Sequence, residues 1–101
     1  MEAVLKYDET TIKILNALHK NPQASQREIA KNVEASVGKV NYIIKALAEK
    51  GIIKTSRFLN SKNKWAYRYI LTPEGLQAKA QITKEFVKRK MEEYERLLKN
   101  D

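Results

Sequence analysis

The sequence predicts a mainly α-helical chain with one small β-hairpin and a long C-terminal helix. Three observations carry this. Apolar residues recur at helical spacing in three short runs before Gly51 and in one long run after Thr72, and each run opens on a residue able to cap a helix. Between them, from Ile52 to Leu71, the period changes to two.

Asp8 caps the first helix, whose Ile12, Ile14, Leu15, Ala17 and Leu18 recur until Asn21 and Pro22 stop it. Ser25 and Glu28 of "SQRE" form a capping box, in which each side chain satisfies a backbone donor at the start of a short second helix with Ile29, Ala30 and Val33 inward. Ser36 caps a third helix with Val37, Val40, Ile43, Ile44 and Leu47 on one side, and Gly51 supplies the left-handed residue that ends it. In the period-two segment Ile53, Thr55, Arg57 and Leu59 point one way, "NSKN" at 60–63 is turn chemistry, and Trp65, Tyr67, Tyr69 and Leu71 share a face on the return. Thr72 caps the last helix, with Pro73 at its first position, where a missing N–H costs nothing. Its Leu76, Ala80, Thr83, Val87, Met91, Tyr94 and Leu98 form one stripe, flanked by Ile82, Phe86 and Leu97.

At 101 residues, 43% apolar and 32% charged, the chain can bury one modest core. The opening MEAVLKYDET lacks the basic start and apolar run of a signal peptide, and no stretch approaches the roughly 18 apolar residues a membrane span needs. A soluble cytoplasmic protein without a membrane partner is expected. The absence of cysteine excludes disulfides, thiolate metal sites and thiol redox switches, and a single histidine, His19, leaves little for a nitrogen-ligated metal, so no cofactor is expected. No histidine, cysteine or paired-carboxylate constellation suggests catalysis; Glu92, Glu93 and Glu95 sit among Lys88, Arg89, Lys90 and Arg96 as on a salt-bridged solvent face. An enzyme is not expected.

The formal charge of +8 is uneven. Residues 36–71 hold eight Lys/Arg and one Asp/Glu, net +7, whereas residues 1–35 are balanced at five of each. An excess confined to one helix and the segment after it suggests an anionic partner, with nucleic acid the leading candidate.

Two short helices, the second beginning a few residues after the first ends, have the spacing of a helix-turn-helix, whose second member presents its N-terminal half to the DNA major groove. With Val37, Val40, Ile44 and Leu47 packed inward, the exposed set is Ser36, Gly38, Lys39, Asn41, Tyr42 and Lys45. Asn41 can pair with adenine through its donor and acceptor, lysine can donate to guanine or phosphate, and Tyr42 can reach phosphate or a thymine methyl. Lys39 and Lys45 also suit plain solvation. Gly38 fits either close approach to DNA or to the second helix, or simple tolerance at a first turn.

Residues 8–76 resemble a winged helix-turn-helix of the MarR type, through "SQREIA", through "VGKVNYIIKALAEKGII" running into Gly51, and through "LTPEG" at Leu71–Gly75. The later "FVKRKMEEYERL" is similar to the subgroup of MarR family regulators associated with exopolysaccharide genes. The resemblance implies a prokaryotic transcription regulator that binds a near-palindromic double-stranded DNA operator as a homodimer. It implies a wing contact too. MarR-type wings often carry Asp-x-Arg near the tip; here Asn63, Lys64 and Trp65 stand there, so a minor-groove contact falls to Lys62 or Lys64. Arg57 and Arg68 are further wing candidates, or simply flank the sheet. A single long helix after the wing leaves an effector ligand open.

Residues 1–75 are thus expected to form the DNA-binding unit and 76–101 a dimerisation helix. The stripe of that helix averages about 3.7 residues per turn, so no long supercoil is required. Phe86, Val87, Met91, Tyr94, Leu97 and Leu98 are the expected dimer contacts, the alternative being a helix folded back on its own domain. A winged helix serving as a protein–protein interaction module without specific DNA binding is the competing function.

Overall fold

The computed structural model describes residues 8–100, in the order α1 (Glu9–Lys20), α2 (Gln26–Val33), α3 (Val37–Glu49), β1 (Ile53–Leu59), β2 (Trp65–Leu71) and α4 (Pro73–Lys99). Most of the opening MEAVLKYDET, and the outer limits of the segments 1–75 and 76–101, lie outside the described residues. The fold is a winged helix-turn-helix with a long C-terminal helix.

Each helix starts where its cap predicts. The Asp8 carboxylate accepts from the Thr11 amide at 2.9 Å, and the Ser36 hydroxyl oxygen accepts from the Lys39 amide at 3.1 Å. Ser25 and Glu28 form the reciprocal box at 3.1 and 2.8 Å. At the end of α3 the Ile52 amide donates to the Leu47 carbonyl and the Gly51 amide to the Ala48 carbonyl, a double closure that needs the left-handed φ of +75° at Gly51.

The strands pair antiparallel with Ile53 opposite Leu71 and Leu59 opposite Trp65, so the alternating sets read from the sequence fall on one face. Ile53 and Tyr69, at the base, are buried against the helices; Leu59, Trp65 and Tyr67, toward the tip, are exposed. The Tyr69 amide donates to the Pro22 carbonyl at 3.0 Å, tying the hairpin to the loop after α1.

The core joins Ile14, Leu15 and Leu18 of α1, Ile29 of α2, Val40, Ile43, Ile44 and Leu47 of α3, the hairpin base, and Ile82 of α4. Thr72 anchors α4 to the α3–β1 junction. Its hydroxyl donates to the Gly51 carbonyl at 2.6 Å while its oxygen accepts from the Gly75 amide at 2.9 Å, and its own amide donates to the Ile52 carbonyl. Gly75 is buried there, and a Cβ on it would fall on the Ile52 carbonyl oxygen. The close approach therefore requires glycine.

One packing expectation is corrected, and α4 carries two separate apolar faces. Val37, expected inward, is 44% exposed, because it is the first residue of α3 and lies at the margin of the face that buries Val40, Ile43, Ile44 and Leu47. In α4 the face against the core is Gly75, Ala78, Ile82 and Phe86, whereas most of the stripe from Leu76 to Leu98 lies on another face, about 140° round the helix at 100° per residue. Phe86, expected at a dimer contact, packs partly buried on its own core. The helix runs unbroken across residues 75 and 76, and it carries the molecule to a longest dimension of 60 Å. Among the described residues no helix is long and apolar enough to cross a membrane.

Candidate nucleic-acid interface

The turn between α2 and α3 spans only Glu34, Ala35 and Ser36, with Glu34 in the left-handed region at φ 58°. Its amide and that of Ala35 donate back into α2, to Lys31 and Ala30, which sets the sharp bend. α3 then seats Val40, Ile43, Ile44 and Leu47 in the core. At 100° per residue the opposite face centres on Gly38, Tyr42 and Lys45, all exposed. Nothing lies within 4 Å of a Cβ built on Gly38, so close approach to α2 is not the reason for that glycine.

Lys39 and Asn41 occupy opposite flanks of this face and are not simply displayed. The Lys39 ammonium reaches Asp8 at 3.7 Å, an exposed pair that turns the lysine back toward α1. Partial burial works to raise the Asp8 carboxyl, but hydrogen bonds from the Thr11 amide and hydroxyl, together with Lys39, outweigh it and hold the group below the ordinary aspartate range. On the other flank Asn41 is half-buried, and its Nδ2 donates to Gln26 Oε1 at 3.1 Å. Ser36 keeps its hydroxyl proton available beyond the cap it forms.

At the wing tip Asn60 Oδ1 accepts from the amides of Lys62 and Lys64 at 2.9 and 3.0 Å, and Asn63 takes φ 60°. The turn is thereby shaped so that both lysine side chains project, exposed and without an ion-pair partner among the described residues. The two wing arginines lie on opposite faces of the hairpin. Arg57 stacks over Trp65 with 4.6 Å to the ring centroid; Arg68 stacks over Phe58 at 4.4 Å, half-buried, with its Nε unpartnered. Stacking fixes both guanidiniums and leaves the planar edge of the exposed Arg57 for an acceptor.

Chemically this is an exposed helix face with donors and one amide, beside a projecting cationic hairpin. Gln26 was not evident from sequence: nothing local marks it, and its partners stand 15 and 43 residues away. The exposed dimer candidates Val87, Met91, Tyr94, Leu97 and Leu98 lie on the part of α4 beyond the core.

Residues 7–54 match the family of winged helix-turn-helix DNA-binding domains. No curated protein matches the sequence. Among solved structures, the transcriptional regulator BldR from Sulfolobus solfataricus is 20% identical with a TM-score of 0.69, covering 98% of this chain and 73% of its own. Protein TA0346 from Thermoplasma acidophilum is 21% identical with a TM-score of 0.71, covering 89% and 90%. The zinc-dependent MarR family transcriptional regulator AdcR, in its Zn(II)-bound state, is 24% identical with a TM-score of 0.56; 91% of this chain aligns with 60% of that one. At such identities the likeness is one of fold.

Proposed function

We propose that this winged helix-turn-helix chain is a sequence-specific double-stranded DNA-binding transcriptional regulator of the MarR type, acting as a homodimer on a near-palindromic operator. One observation carries the reading. The exposed face of α3, with Gly38, Tyr42, Lys45 and the flanking Asn41, lies within the segment 36–71 that holds net +7, and that segment ends in a hairpin projecting Lys62 and Lys64. In this account α3 enters the major groove, Asn41 and Lys45 read base edges, Tyr42 and Ser36 meet phosphate or a methyl group, and the wing lysines with Arg57 hold the backbone or minor groove. Arg68, stacked on the reverse face, supports the wing's shape. The role is binding rather than catalysis.

Pairing falls to α4 beyond Phe86, where Met91, Tyr94, Leu97 and Leu98 are each more than 60% exposed, an apolar run that a second copy would cover. The run "FVKRKMEEYERL" supports placement in the exopolysaccharide-associated subgroup.

Salt dependence of binding to duplex DNA tests the footprint. With Lys39 engaged by Asp8, the wing's Lys62, Lys64 and Arg57 supply about six phosphate contacts per dimer, so log affinity should fall with log salt at a slope near −5. A slope shallower than about −2 contradicts the interface.

A further inference from the structure

We propose that Gln26 is a positioning residue for base recognition: it locks the Asn41 carboxamide in one orientation and couples that orientation to the wing through Tyr69. The proposal rests on the DNA-binding reading above. Gln26 is the first residue of α2 and is half-buried. Its Nε2 donates to the Tyr69 hydroxyl oxygen at 3.1 Å, and its Oε1 accepts from Asn41 Nδ2 at 3.1 Å. A primary amide has one acceptor oxygen and two N–H donors, so this chain of bonds has a direction. Because Gln26 gives its nitrogen to Tyr69, its oxygen faces Asn41, and Asn41 must turn its nitrogen toward it. With the Tyr69 hydroxyl accepting, an Asn41 flipped alone would set two carbonyl oxygens against each other; reversing the whole chain would require that hydroxyl to donate to Gln26 instead.

The consequence lies on the groove side. Asn41 retains its Oδ1 and one N–H, the acceptor and donor that the N6 and N7 edge of adenine takes as a pair. Holding the side chain before DNA arrives removes an ordering cost that a free asparagine would meet on binding. Tyr69 is buried at the hairpin base and its amide is fixed by the Pro22 carbonyl, so α2, α3 and the wing meet at the Gln26 amide.

Gln26→Met tests this, since methionine keeps the length and helix preference but makes neither bond. The probes are the duplex enriched from a random pool by the unsubstituted full chain, and the unselected pool. At the base pair that Asn41→Ala identifies, Gln26→Met should lower discrimination about five- to tenfold, a part of what a full bidentate contact provides. Affinity for the unselected pool should stay unchanged, and the fold should be retained with its unfolding midpoint lowered only by the two lost hydrogen bonds. In an Asn41→Ala background the Gln26 substitution should have no further effect, and Tyr69→Phe should act in the same direction more weakly.

Discrimination retained in Gln26→Met, an equal loss on both probes, or Asn41 side-chain amide resonances unmoved in the free variant would each overturn the proposal. An unsubstituted chain that enriches no duplex overturns the DNA-binding reading and this proposal with it. That failure is distinct from a site enriched and then kept by Gln26→Met.

Discussion

Replacing Gly75 with alanine should unfold this protein more readily than its size suggests, and the reason is one backbone contact. The new Cβ would fall on the Ile52 carbonyl oxygen, with the Ile52 carbonyl carbon at 2.9 Å and the Thr72 hydroxyl oxygen at 3.2 Å. Both the helix and the carbonyl are backbone, so neither can rotate away. To relieve the overlap, α4 must lift from the α3–β1 junction, straining the Thr72 hydrogen bonds to Gly51 and Ile52. Overpacking costs about 1–3 kcal/mol, two weakened hydrogen bonds about 1 kcal/mol each, and alanine returns about 1 kcal/mol of helix preference. The net is about 3 kcal/mol, or 10–20 °C in Tm for a domain of this size. Gly38→Ala is the built-in control, because its Cβ meets nothing within 4 Å. That variant should gain up to about 1 kcal/mol in folding while weakening DNA binding, if the bare helix face seats in a groove. Urea unfolding followed by far-ultraviolet circular dichroism reads both. A Gly75→Ala chain within about 1 kcal/mol of the parent would refute the packing account.

Other outcomes follow from the same geometry. Asn41→Ala should relax preference at one base position per half-site, costing about 1–3 kcal/mol on the selected duplex and little on random DNA, whereas Lys64→Ala should weaken both alike in titrations by fluorescence anisotropy. Tyr94→Glu with Leu98→Glu should give a folded monomer by light scattering and, because one helix spans few base pairs, poor discrimination; a variant that stays dimeric contradicts the role given to α4. Asp8 has a depressed folded pKa, so its contribution to stability is present above the unfolded value near 3.9 and is lost as pH falls through the folded one. The stability difference between the parent and Asp8→Asn should narrow below about pH 4, and Lys39→Ala should raise the Asp8 titration midpoint seen by NMR.

What was legible in the sequence was local. The caps at Asp8, Ser25 and Ser36 act across three residues, and the Thr72 cap and the Gly51 closure are equally short-range, so residue type and spacing suffice to read them. The residues sharing a face of each strand followed from alternation, and the pairing agrees with it, since a slip by one residue would expose Ile53 and Tyr69. Contacts between distant residues were not legible. Lys39 turns to Asp8, 31 positions earlier, and Asn41 to Gln26, so two side chains read as displayed are held by neighbours. In α4 both faces are apolar, and periodicity alone cannot choose between Ile82 with Phe86 and Val87 with Met91. The choice is made by Gly75, the position at which the helix can touch the Ile52 carbonyl.

Selection from a random duplex pool with the full chain tests the central claim most directly. If α4 pairs two copies and each α3 enters a major groove, the recognition helices reach successive grooves about 34 Å apart. The enriched sequences should then be inverted repeats with half-sites about 10 base pairs apart, centre to centre. A pool that leaves the selection with no sequence preference would contradict a base-reading role for α3 and favour a protein-interaction module.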